Sequence, residues 1–334
     1  MPEEILAKDP QLGRVMDVTM LGPRGVGKTS LLVSLYDQFH EVVGSTPLEL
    51  TTSDHATRTT LDQYRQDLRA FARGVRRDRG IEGSVQLRKY IFGLGTQGKR
   101  PPQMRLRFTD GPGELLATSG PMREALDAAV RASGILLVAV DSPVLMEAEQ
   151  QHNDRVNQPE LVMEFIRDAL AEGGQRLVVI VPLKCEKYVA SVAGARELRD
   201  AVKERYETLI KNIADLPVRQ DKAAAGVVLT SVETVGSMRF SRFEPAGDTY
   251  REVFRLAQIG GSYSPRDTDQ PLRWMLRFLI NAYKDRSKTL GERFTDWWSF
   301  TDTKLTNGLQ KFAADCKERD GFEVFVRHRY LDLP

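Results

Sequence analysis

Cysteine is nearly missing from this sequence. Cys185 and Cys316 are the only two, far apart and in no metal-ligand spacing, which excludes a disulfide scaffold and a zinc ribbon and fits a reducing compartment. Histidine is almost as scarce: His40, His55, His152 and His328 lie in unrelated segments, without zinc spacing or a nucleophile neighbour, and read as structural or exposed. No apolar run approaches the roughly 18 residues of a membrane span. The opening stretch MPEEILAKDPQLGRV has neither the basic start nor the apolar middle of a signal peptide, and neither end carries a lipid-anchor motif. An excess of one charge is lacking too: 48 Lys and Arg stand against 46 Asp and Glu, which gives no bulk reason to expect nucleic acid or an acidic membrane as partner. Internal repeats, low-complexity tracts, a G-x-S-x-G elbow and a glycosidase carboxylate pair are all absent. The expectation is a cytoplasmic globular protein whose recognition is local.

The 334 residues, 41% of them hydrophobic, suffice for one large core or two ordinary ones. Short apolar runs rich in β-branched residues alternate with helical patterns, as in an α/β chain. Five strands stand out: RVMDVTML (14–21), QMRLRFTD (103–110), GILLVAVD (134–141), RLVVIVPL (176–183) and AGVVLTSV (225–232). Three are near-continuous apolar runs, the mark of parallel strands covered on both faces. A weaker sixth, LRKYIFGLG (87–95), joins the second through TQGKRPP and predicts one antiparallel edge strand. Leu61, Tyr64, Leu68, Phe71 and Val75 form one apolar stripe, predicting a helix over about 55–78 inside an insertion at about 50–80. That stripe packs on the parent domain or serves as a docking surface; RGVRRDRG after it reads as a solvated end. A helix is also expected at 194–214. From about 246 the pattern turns helical, with one helix at 271–286 and a second carrying Leu290, Phe294, Trp297, Leu305, Leu309 and Phe312. The tryptophans of DWWSF (296–300) pack on the protein's own surface or offer a partner face. FEVFVRHRYL reads as a final edge strand or an extended tail. The predicted division is 1–245 for the α/β domain and 246–334 for a mainly helical extension packed on or beside it.

GPRGVGKTS (22–30) lies between the first strand and an apolar helix and fits G-x-x-x-x-G-K-[ST] without exception. Gly22, Gly25 and Gly27 let the backbone N–H groups around Arg24, Val26 and Ser30 curl about phosphate, where side chains would block approach. Lys28 would reach the β and γ phosphates, Thr29 would offer a hydroxyl to Mg²⁺, and the helix N-terminus favours the anion. A purine nucleoside triphosphate is therefore the expected ligand.

At the end of the second strand, FTDGPGELL places Asp110 three residues before Gly113. An Asp there can hold Mg²⁺ through water, and a Gly three residues on has an N–H free to sense a γ-phosphate. This resembles the D-x-x-G element of TRAFAC-class P-loop GTPases, the group of Ras-like and translation-factor GTPases. Where that class carries N-K-x-D, the chain has Leu183, Lys184, Cys185 and Glu186. Lys184 can lay its stem along the base, and Glu186 can accept from guanine N–H groups; Leu183 cannot replace the class's Asn. One strand later, Ser231 and Val232 stand at the loop whose N–H groups face the base oxygen. The order of the four elements on successive strand ends suits binding along one edge of an open sheet. Over about 14–240 the chain is similar to the double-GTPase-type domains of bacteria, which share a GPRGVGKT-like loop, a DGPGE-like second motif and a long insertion. The resemblance implies a P-loop NTPase sheet of Ras-like type with helices on both faces, GTP/GDP and Mg²⁺ as cofactors, and a cytoplasmic bacterial switch acting on a protein effector or partner GTPase. A homo-oligomer is compatible with it.

The resemblance also bears on turnover. Small Ras-like members orient the attacking water with Gln after the D-x-x-G glycine; this chain has Glu114, which accepts but does not donate as an amide does, so slow hydrolysis is expected. Arg24 would offset transition-state charge, exclude a partner's arginine finger, or point outward. The switch hydroxyl has six candidates, Thr46, Thr51, Thr52, Thr59, Thr60 and Ser84, with Ser84 preferred as the metal-side residue. Two alternatives stay open: an ATP-dependent ATPase or phosphotransferase, and a nucleotide-binding scaffold without turnover.

Overall fold

The computed structural model describes residues 6–9, 13–44, 46–74, 87–111, 113, 119–215, 225–247, 249–289 and 303–332. In chain order, β1 (Leu6–Asp9) and β2 (Gly13–Leu21) precede α1 (Lys28–Val42), β3 (Leu48–Thr52) and α2 (His55–Ala72). The hairpin β4 (Arg88–Thr96) and β5 (Met104–Asp110) comes next, then α3 (Pro121–Ala132) and β6 (Ile135–Asp141). Three helices, α4 (Ser142–Glu147), α5 (Gln150–Asn157) and α6 (Pro159–Ala171), lead to β7 (Arg176–Leu183). After them stand α7 (Val192–Arg205), α8 (Glu207–Ala214), β8 (Ala225–Thr230), and a second hairpin of β9 (Met238–Ala246) and β10 (Thr249–Leu256). The chain closes with α9 (Gln270–Thr289), α10 (Thr303–Ala314), β11 (Phe322–Val326) and a 3-10 turn at Arg329–Leu331.

The main sheet has the order β11-β8-β7-β6-β2-β5-β4-β3, with β1 alongside β2. Its heart, β8-β7-β6-β2-β5, is parallel and comprises the five strands legible in the sequence. Because β6 and β7 are buried along their whole lengths, their alternate residues feed two cores. Leu137, Ala139, Val179 and Val181 join α1, α2, α9 and α10 on one face. Leu136, Val138, Val178 and Ile180 join α3, α6, α7 and α8 on the other.

Several expectations change here. The single antiparallel edge strand is in fact β4 with β3 outside it, and β11 pairs antiparallel with β8 at the opposite edge. β3 escaped notice because five residues, LELTT, carry only two apolar positions. The helix at 194–214 breaks at the buried Tyr206 into α7 and α8. The boundary at 245/246 falls inside β9, while α9 buries Leu272, Trp274, Met275 and Phe278 in the main core. The C-terminal segment carries α9 and α10 with β11 as its last strand, and packs on the α/β body through both helices. α2 packs on that body: Leu61, Leu68 and Ala72 are buried, and Arg65 Nε donates to Asp37 Oδ1 of α1 at 2.8 Å. Val75, Leu290, Phe294 and DWWSF lie outside the described residues. Among the described residues no helix is long and apolar enough to cross a membrane.

Candidate functional site

β2 delivers the chain to the sheet's carboxyl edge at Leu21, and glycine permits the tight loop beyond it. At Gly22 the backbone has φ 140°, and a Cβ would lie 2.5 Å from the carbonyl oxygen of Ala139 on β6. Gly25 and Gly27 also have positive φ, 72° and 109°, so the loop curls back before α1 opens at Lys28. The first turn of α1 leaves N–H groups without intrahelical partners beside the loop, where an anion could take them. Val26 anchors the loop in the core, whereas Arg24 and Gly25 are exposed at the rim. Lys28 Nζ donates to the carbonyl oxygens of Gly22 at 3.0 Å and Pro23 at 3.1 Å, spanning the loop where phosphate would sit.

Beside this loop, Thr29 Oγ1 donates to Asp110 Oδ2 at 3.0 Å, and Lys28 Nζ lies 3.7 Å from Asp110 Oδ1. Burial pushes the Lys28 ammonium below its ordinary range and the Asp110 carboxyl above its own, each partly restrained by the other's charge. Asp110 Oδ1 is buried without a hydrogen-bond partner. One orphaned carboxylate oxygen beside one hydroxyl is the hard-oxygen pair that Mg²⁺ takes when phosphates and water complete its shell. The Thr29 and Asp110 oxygens would fit an ion that phosphates and water also hold; among the described residues there is no group of three or more His, Cys, Asp or Glu side chains that could cage a metal. Gly113 sits hard against the loop: a Cβ there would lie 2.2 Å from the Arg24 nitrogen.

The later loops meet the same region. A cavity of about 480 Å³ runs from Gly25 and Gly27 to Lys184 and Glu186. Its outer walls come from α2 (Leu68, Phe71) and the β9–β10 hairpin (Phe243, Phe254). Lys184 has a left-handed backbone (φ 56°), and its ammonium bridges two walls, donating to Asp141 Oδ2 at 2.6 Å and to Glu252 Oε2. Burial works against that charge, but the two carboxylates hold it above its ordinary range. Glu186, buried, accepts at Oε1 from the N–H groups of Val235 (3.1 Å) and Gly236 (3.5 Å), and burial raises its pKa. Ser231 Oγ instead donates to the Gly321 carbonyl at 2.8 Å. Val232 is buried; its carbonyl takes the Cys185 thiol at 3.1 Å, pinning the two loops together. Leu183 packs in the core.

Gly22, Arg24, Gly25, Val26, Gly27, Lys28, Thr29, Ser30, Asp110 and Gly113 therefore converge, and Lys184 and Glu186 open on the adjoining cavity. The Ser231 side chain turns away. Glu114 and Ser84 lie outside the described residues. Thr46 donates to the Val43 carbonyl, Thr51 to the Gly93 carbonyl, and Thr59 pairs with His55, so these hydroxyls are engaged elsewhere. Sequence reasoning missed Asp141, although it ends a strand as Asp110 does. Its carboxylate also accepts from Val144 N–H at 3.2 Å, and its backbone is fixed by Asn157. Glu252 and the hairpin aromatics were missed as well. Alternation in MRFSRFEPA and TYREVFRL around a Gly-containing turn was the available signal.

A family model described as Double-GTPase 2 matches residues 17–229, well over half of the chain. No curated protein matches the chain.

Proposed function

The chain belongs to the Double-GTPase 2 family, and from that premise we propose that it binds GTP with Mg²⁺, hydrolyses it slowly, and reports the nucleotide's state to a protein partner. The observation that carries this reading is the continuity of one site. The phosphate loop with its Lys28 and Thr29–Asp110 corner runs into a cavity walled by Lys184 and Glu186. The loop N–H groups hold the phosphates, and Lys28 exchanges the Gly22 and Pro23 carbonyls for phosphate oxygens. Thr29 and Asp110 hold Mg²⁺, which neutralises charge on the phosphate chain. Gly113, packed on the loop, is the contact through which a γ-phosphate is sensed. Arg24 at the rim offsets transition-state charge, and Glu114 orients water less well than an amide, which keeps turnover low.

In the base cavity one Glu186 oxygen stays on the Val235 loop and the other accepts from guanine. A second reading, ATP binding, gains from the same geometry, since the Glu186 carboxylate is already engaged by two backbone N–H groups. Competition of GTP and ATP for the purified chain with Mg²⁺ decides between them. GTP is expected to win, Lys28→Ala to abolish binding of both, and Glu186→Gln to weaken GTP while sparing ATP. Gln keeps an acceptor for the loop but replaces the other with a donor. No affinity for GTP would sink the reading. Bound GTP that persists for hours would replace the switch with a scaffold.

A further inference from the structure

The Asp110 corner holds a second orphan. Tyr90 on β4 is 2% exposed, and its hydroxyl, like Asp110 Oδ1, is buried without a hydrogen bond of ordinary geometry among the described residues, Thr29 and Arg88 being its polar neighbours. Leaving a buried polar group unmade costs about 1–3 kcal/mol, so native proteins fill such places with water or an ion.

The register explains why the two orphans meet. β4 and β5 run antiparallel with Arg88 opposite Asp110 and Tyr90 opposite Phe108. Tyr90 therefore stands diagonal to Asp110 on one face of the sheet, within reach of a long aromatic side chain. Burial first, and the Asp110 charge second, raise the phenol's pKa, while the Thr29 hydroxyl and Arg88 beside it act the other way. Thr29, Asp110 and Tyr90 thus stand together at one corner of the sheet. The α2 insertion steadies the strand there, since the Ile91 N–H donates to Thr57 Oγ1 at 3.1 Å next to Tyr90.

We propose that Tyr90 is a positioning residue for the hydrated divalent cation of the bound nucleotide: its hydroxyl and Asp110 Oδ1 together hold a metal-bound water. The proposal rests on the nucleotide reading above. It adds a strand tyrosine to the metal side of the site, where Thr46, Thr51 and Thr59 take no part because they bond elsewhere.

Tyr90→Phe isolates the hydroxyl. It keeps the ring that packs against Phe108's strand, and removing a buried hydroxyl that makes no well-formed hydrogen bond leaves folding intact. The full chain is titrated with Mg²⁺ at fixed fluorescent GTP analogue, and binding is measured again in EDTA. The variant is expected to need about tenfold more Mg²⁺ for half-maximal binding, the scale of losing an outer-shell partner, with its metal-free affinity unchanged. Superimposable Mg²⁺ profiles would overturn the proposal, and so would a variant altered only in its unfolding midpoint, which assigns Tyr90 to packing. Absence of binding by the wild type in either condition would overturn the nucleotide reading together with it.

Discussion

Gly113→Ala tests whether the strand-end segment is truly seated on the phosphate loop. An added Cβ would lie 2.2 Å from the Arg24 nitrogen, 2.4 Å from the Pro23 carbonyl carbon and 2.7 Å from the Pro23 Cα, against 3.4–4 Å for ordinary contact. All three atoms are backbone, so no side chain can swing away. The loop or the Gly113 segment must retreat by roughly 1 Å, and overpacking of this kind costs about 1–3 kcal/mol. Each 1.4 kcal/mol is about a factor of ten in an equilibrium constant, so GTP affinity should fall about ten- to hundredfold if the strain is released by displacing the loop. Fluorescent-GTP titration measures that loss and denaturant unfolding measures the strain left in the free protein. Gly44→Ala, in open space and without a positive φ, is the control and should match the wild type in both assays. A Gly113→Ala protein with wild-type affinity and wild-type midpoint would refute the contact and, with it, the route by which a γ-phosphate is felt.

Two further predictions concern the scaffold. Glu233 is pushed from 4.5 up to about 7, by burial first and then by the neighbouring Glu186 charge. The unfolded chain releases that proton near 4.5, so the folded state alone holds it between about 4.5 and 7, and this group's contribution to stability falls as pH rises through that window. Glu233→Gln should therefore stabilise the protein relative to wild type at about pH 8 more than at about pH 5, as read from urea midpoints; an equal difference at both would remove the cause. Arg277, 3% exposed on α9, donates to the carbonyls of Ala313 (2.9 Å) and Ala314 (2.8 Å) at the end of α10. Arg277→Met strands those carbonyls and should cost about 3 kcal/mol. Unchanged unfolding with the variant would show that α10 does not depend on this cap.

What could be read from the sequence was what is contiguous. The phosphate loop is nine residues in a row between a strand and a helix, and each parallel strand is an unbroken apolar run, so both declare themselves locally. The Thr29–Asp110 pairing was legible because each half is itself part of a motif. Tyr90 and Asp141 were not, because their meaning lies in register and in a partner 43 positions away for Asp141. The β9–β10 hairpin hid behind its arginines: Arg239, Arg242, Arg251 and Arg255 dilute an alternation that buries Met238 and Phe240. Glu186 follows β7 as the strand pattern puts it, but its bonds to Val235 and Gly236 belong to a loop that sequence spacing cannot fold.

The two ends of the main sheet bear on how the protein behaves in a crowded solution. β3 and β11 are both five residues long, and both run against their neighbours. A strand that short leaves few unpaired N–H and C=O groups for a stranger to hydrogen-bond, and β11 is further bent by an irregular step between Val324 and Val326. The long, apolar, aggregation-prone strands thereby stand in the interior of the ladder, and among the described residues this sheet ends in blunt, brief rims.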